Sequence, residues 1–164
     1  MAGFEFDWES ALDTETVLCG LQSRAVYEAF VKEQEAESYE IDIDAAAGTA
    51  EARWVVELPS DVPGIVKRLV GNPLRLKVHI ETNAGGQRRF DLDAVGKRRG
   101  ELRSAMTIEP QSLGCLIHLR GSVGVSGLGG SQAASTARDQ VIKPVLREDF
   151  FPMLEKWGRS SDGP

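Results

Sequence analysis

Histidine is the side chain best placed to move protons near neutral pH, and this chain of 164 residues carries only two, His79 and His118. His79 alternates in step with Arg75, Lys77 and Glu81, and His118 with Arg120 and Ser122. In an extended segment such residues share one face, so both imidazoles belong to the polar side, away from any substrate buried on the other. Nothing places a third ligand beside them for zinc. Asp42 with Asp44, and Asp91 with Asp93, are carboxylates two apart that could serve as an acid/base pair or a cation site. They too fall on the wet face, where large pKa shifts are hard to produce. Gly127-Leu128-Gly129 opening a helix echoes a dinucleotide-binding turn, but the third glycine is replaced by Gln132. A bend into the helix is the simpler use of these glycines. The inner face holds few polar side chains: Tyr39, Ser104 and Cys115. The sequence points to no catalytic residue, metal site or cofactor.

The alternation behind these assignments runs through most of the chain. Phe4, Phe6 and Trp8 mark a first strand. Asp13 and Thr14 offer N-cap chemistry for a short helix carrying Val17, Leu18 and Leu21, and Ser23 for a second with Val26, Tyr27, Phe30 and Val31 on one face. Six strands follow. Their inward residues are Tyr39, Ile41, Ile43 and Ala45; Ala50, Ala52, Trp54 and Val56; Leu74, Leu76, Val78 and Ile80; Phe90, Leu92 and Ala94; Leu102, Ser104, Met106 and Ile108; and Cys115, Ile117, Leu119, Val123 and Val125. One apolar and one polar face is the pattern of an antiparallel sheet with a single buried side. Glycine-bearing joints at 47–48, 83–86 and 96–100 read as hairpins.

The joint from Pro59 to Gly71 is longer and has a helical stripe of Val62, Ile65, Val66, Leu69 and Val70. Such a segment covers the interior either as a gate, with Gly64 and Gly71 as hinges, or as a fixed lid. The last element, from about Ser131 to Trp157, carries Ile142, Leu146, Phe150, Met153 and Trp157 on one stripe. Pro144 should kink it and Pro152 divide it again. If the kink resets the phase, Ala133, Ala137 and Val141 face the sheet; if not, Gln132, Ser135 and Asp139 do. Either way the first half brings little bulk, which predicts a cavity beneath residues 131–140. A frayed tail is expected over 158–164.

Composition excludes several classes. Hydrophobic residues make up 41% and charged residues 27%, and the net charge is −6. That is ordinary globular usage and a poor match to nucleic acid, since the longest basic run is Lys97-Arg98-Arg99. The acidic, alternating N-terminus is not a signal peptide, and no apolar run approaches the ~18 residues of a membrane span. Cys19 and Cys115 have no metal-type spacing and read as reduced core residues of a cytoplasmic protein.

The order of strand, two short helices, six antiparallel strands and a long helix resembles the helix-grip superfamily of START lipid-transfer domains, pollen-allergen proteins and polyketide cyclases. The passage from Leu58 to Gly71, the strand Leu74 to Glu81 and the glycine-rich Gly121 to Gly130 look more specifically like an uncharacterised bacterial family of START-like proteins. The resemblance implies an α+β fold, one domain over 1–157, in which a seven-stranded curved antiparallel sheet wraps a long C-terminal helix around a cavity. The expected partner is a small hydrophobic molecule, lipid-like or isoprenoid-like. The sheet would contribute Trp8, Tyr39, Trp54, Leu76 and Val78, then Phe90, Leu92, Ser104, Met106 and Ile117. The cover would add Ile65 and Leu69, and the helix Ser135 and Asp139. The alternatives are a protein-interaction module with a solid core and a cyclase- or hydrolase-type enzyme; a homo-oligomer is left open.

Overall fold

A computed structural model describes residues 1–58, 60–64, 67–68, 71–83, 87–127 and 129–160. Strand β1 (Ala2–Ser10) leads into helices α1 (Thr14–Leu21) and α2 (Arg24–Glu33). Strands β2 (Ser38–Asp44), β3 (Thr49–Val56), β4 (Leu74–Glu81), β5 (Arg89–Val95), β6 (Arg99–Gln111) and β7 (Gly114–Val125) follow as a meander. All neighbours pair antiparallel in the order β1-β7-β6-β5-β4-β3-β2. The helices α1 and α2 therefore carry the chain from one edge of the sheet to the other. Helix α3 closes the fold in five consecutive segments: Gly130–Ala137, Arg138–Ile142, Lys143–Val145, Leu146–Phe150 and Phe151–Ser160.

Local chemistry accounts for the starts and stops. The Asp13 carboxylate accepts the Thr16 N–H at 2.8 Å and caps α1; hydrogen bonding from the Thr16 side chain and then from its N–H holds the Asp13 pKa below the usual value. Ser23 occupies the cap position of α2 without a side-chain cap bond. Cys115 is buried, but Cys19 is exposed, correcting its expected place in the core. Helix α1 buries Val17, Gly20 and Leu21, which leaves Cys19 on the outward side.

The second and fourth segments of α3 are π-helical turns, each directly preceding a proline segment. A proline ring clashes with the carbonyl four residues back, and a wider turn before Pro144 and Pro152 relieves that clash while the backbone stays helical. The disturbance expected at the two prolines therefore takes the form of two wide turns, each of which shifts the helical phase. Each π turn adds one residue. Before the first shift the buried face is Ala133 and Ala134, not Ser135 and Asp139. After the second it is Phe151, Leu154, Glu155 and Gly158, with Met153 and Trp157 only half-buried. The helix runs on to Ser160, past the expected start of the tail, because Gly158 lies flat against Leu12.

The core centres on aromatic rings. Phe150 stands edge-on to Phe30 at 5.3 Å, to Phe90 at 5.5 Å and to Phe151 at 5.2 Å. Phe151 stacks on Phe6 at 5.6 Å and on Trp8 at 5.8 Å. Such pairs contribute about 0.5–1.5 kcal/mol beyond their buried area. Tyr27 satisfies its buried hydroxyl by donating to the Leu21 carbonyl at 2.6 Å, and burial pushes its pKa up. The outer face of the sheet is a lattice of ion pairs such as Arg53–Glu51 at 2.6 Å and Arg103–Asp93 at 2.8 Å.

Candidate functional site: a cavity between sheet and helix

Alanine brings the first turns of α3 close to β7 and β1, because its side chain leaves little to separate backbones. The gap expected beneath residues 131–140 is largely closed for that reason. Further along, Phe150 and Phe151 hold the helix off the sheet. Between these two supports the helix offers Val141, Ile142, Pro144, Val145 and Leu146, flanked by the polar Gln140, Glu148 and Asp149, and a cavity of about 500 Å³ opens beneath them. Its floor is Trp54 of β3, Leu74, Leu76 and Val78 of β4, and Phe90 and Leu92 of β5. Phe30 of α2 forms a wall. A smaller void of about 40 Å³ adjoins it, bounded by Ala137, Val125, Leu102 and Arg98. Leu74, Leu76, Leu92, Val141 and Ile142 line both.

The mouth of the larger cavity has a different character. Leu58, Asp61, Val62 and Pro63 cover one side. The exposed carboxylates Glu33, Glu35, Glu57, Asp61 and Glu148 line its rim, with no lysine, arginine or histidine among the described lining residues. Asp149 sits deeper and accepts a 2.6 Å bond from Gln34 Nε2. Burial, reinforced by Glu148 and Glu33, pushes its pKa up against the lowering effect of that bond.

Five of the sheet residues singled out from sequence thus meet around the cavity: Trp54, Leu76, Val78, Phe90 and Leu92. The others lie elsewhere. Trp8 stacks on Phe151 and donates to Glu155 Oε1 at 3.1 Å. Tyr39 pairs across from Trp54 but is 41% exposed at the sheet edge. Ser104 is buried and donates to the Phe90 carbonyl. Met106 and Ile117 are packed in the core. Ser135 donates to the Ser131 carbonyl at 3.2 Å, and Asp139 pairs with Arg138 at 2.8 Å on the solvent side; the π turn rotates both away from the sheet. Ile65 and Leu69 lie outside the described residues. The neighbouring Lys67 N–H bonds to the Pro63 carbonyl at 3.2 Å and the Gly71 N–H to the Lys67 carbonyl at 2.9 Å. Gly71 is no free hinge: at φ +85°, a Cβ would lie 2.3 Å from the Lys97 nitrogen.

The residues that sequence reasoning missed come mainly from segments far apart in the chain. The rim draws on α2, the end of β3 and α3, and no local pattern joins them. Arg98 is different. It shares parity with Gly100, Leu102, Ser104 and Met106, and so continues the inner face of β6 into what reads as a hairpin loop.

The histidines stand on the outer face as their register requires. His79 faces Glu51 at 3.4 Å and Glu81 at 3.2 Å, and His118 contacts Asp7 across β1 and β7. Each side chain is 31% exposed. We expect His79→Ala and His118→Ala each to change stability by less than ~0.5 kcal/mol in urea unfolding; a loss above ~1.5 kcal/mol would contradict this placement. Among the described residues, no group of three or more histidine, cysteine or acidic side chains could hold a metal ion.

A family described as protein of unknown function, DUF2505, matches residues 5–149. The chain belongs to this family. No curated protein matches it. Its fold is that of the START-like helix-grip proteins. TTHA0849 from Thermus thermophilus aligns over 98% of the chain and 99% of its own length, at 16% identity and TM-score 0.60. The di-domain ARO/CYC StfQ of the steffimycin biosynthetic pathway covers 99% of the chain, which spans 52% of it, at 8% identity and TM-score 0.59. Ara h 8.0201 covers 96% and is covered over 97%, at 12% identity and TM-score 0.56. At these identities the likeness establishes the fold of this DUF2505 member. Among its described residues no helix is long and apolar enough to cross a membrane.

Proposed function

We propose that the chain binds a small hydrophobic molecule, lipid-like or isoprenoid-like, between the sheet and α3. The observation that carries this reading is the cavity of about 500 Å³ with an apolar floor and roof. Ligand sites are commonly ~300–1,000 Å³ and mainly apolar, whereas interiors without a ligand pack nearly to crystal density. That contrast favours a carrier or sensor over an interaction module with a solid core. A binding role also fits the placement of Tyr39, Ser104 and Asp139, which an enzyme would need around its substrate and which are spread over the edge, the core and the solvent side. Both cysteines are free, which supports a reducing compartment such as the cytoplasm.

Native mass spectrometry of freshly purified protein should show a co-purified small mass. A stricter check is to fill the site. Val141 lines both voids from the roof, and Val141→Trp should occupy much of the space. It should weaken binding of a fluorescent apolar probe by about tenfold or more, since about 1.4 kcal/mol of lost contact suffices for that factor. The fold, followed by circular dichroism, should persist. Undiminished probe binding in a folded Val141→Trp protein would refute this location.

A further inference from the structure

Among the described residues, the two orphan polar atoms on the cavity walls are both donors. The indole nitrogen of Trp54 and Nη1 of Arg98 are buried, and each lacks a hydrogen-bond partner. For Arg98 this is unusual chemistry. A guanidinium is charged at every accessible pH, and its fork of N–H groups suits carboxylate or phosphate oxygens. Burying one of its nitrogens without an acceptor is costly, more so than for a neutral group. The surroundings do not repair the deficit. The small void beside Arg98 is otherwise apolar except for Glu101, which is 3.2 Å from Arg103. Among the described residues Arg98 makes no ion pair, and its flanking cations, Lys97 and Arg99, are exposed. Their positive field favours an anion at this end of the sheet.

Resting on the reading that the cavity binds an apolar molecule, we propose that Arg98 anchors the head group of the ligand, which is an amphiphilic carboxylic acid. Its carboxylate takes the orphan guanidinium nitrogen. Its apolar body lies against Leu76, Leu92 and Ile142, which line both voids. The acidic rim at the far mouth offers the opposite polarity, and it would select an amine. The two ends are not equivalent, however. The rim carboxylates are mostly exposed to solvent, and Asp149 is held by Gln34. Exposed charges gain little from a new partner. Arg98 Nη1 is buried with no protein acceptor among the described residues, so a ligand oxygen there breaks no existing protein hydrogen bond.

The test uses cis-parinaric acid and its methyl ester, with fluorescence titration of the native chain, Arg98→Met and Arg98→Lys. The acid should bind the native chain about 10- to 100-fold more tightly than the ester, as expected for a hydrogen bond to a charged group. Arg98→Met should bring the acid down to the affinity of the ester and leave the ester unchanged. Arg98→Lys should retain part of the preference. Equal affinity of acid and ester for the native chain would overturn the anchor while sparing the apolar site, and so would an equal loss of both in Arg98→Met. Stronger displacement of the ester by stearylamine than by stearic acid would assign the head group to the rim and also overturn the anchor. Binding of none of these probes would overturn the apolar-site reading and the anchor with it.

Discussion

Replacing Phe150 with alanine should cost about 3–5 kcal/mol of stability, the range for a large aromatic removed from a core. Its ring is 1% exposed and meets Tyr27, Phe30, Phe90 and Phe151. Those contacts join α2, β5 and the last segment of α3, so one truncation loosens three elements together. The upper part of the range is expected, because Phe150 also borders the cavity. The new space merges with a void that already exists, and the surrounding side chains cannot collapse to fill it. Urea unfolding measures the effect. A loss below about 1.5 kcal/mol would mean that the ring is not the keystone between helix and sheet.

The Gly121→Ala substitution is expected to be at least as damaging, above ~4 kcal/mol or incompatible with folding. Gly121 pairs with Ser104 of β6 and Phe4 of β1. A Cβ there would stand 1.8 Å from the Arg103 carbonyl oxygen and 2.7 Å from the Ser104 Cα. Both are backbone atoms, so no rotamer change relieves the clash and β6 must part from β7. Glycine within a strand commonly marks such close approach of another backbone. Gly124 is the matched control: on the same strand, its added Cβ would meet only the flexible Glu101 side chain, at 3.8 Å. Gly124→Ala should stay within about 1 kcal/mol of the native protein. If thermal unfolding gave both variants the native midpoint, the tight crossing at Gly121 would not exist.

Much of the sheet was legible because a period of two is hard to disguise. Ala50, Ala52, Trp54 and Val56 all point inward as their alternation requires, and so do Leu102, Ser104, Met106 and Ile108. Facing in a strand depends only on parity, which local sequence carries. Tyr39 shows the limit of that rule: parity gave its face, but exposure depends on standing at the edge of the sheet, a property of topology. The helix was less legible. A stripe of Ile142, Leu146, Phe150, Met153 and Trp157 assumes 3.6 residues per turn throughout, and two wide turns break the assumption. Pro144 and Pro152 signalled a disturbance without saying whether the axis would bend or the phase would slip. The cavity was displaced along the helix for a related reason. Small residues suggest empty space in the sequence, whereas Ala133 and Ala134 let the helix settle onto the sheet.

The slipped phase has a consequence for comparison between distant relatives. Each π turn works like a one-letter insertion in a text read by position. Relative to a helix-grip protein whose last helix lacks both turns, the frame is off by one after Ile142 and by two after Phe150. Leu154 and Gly158 would then be aligned with residues that point elsewhere, although the helices themselves overlie one another. At 8–16% identity nothing in the letters corrects the slip. Binding-site residues of α3 can therefore be carried between such proteins only by counting turns in the structure.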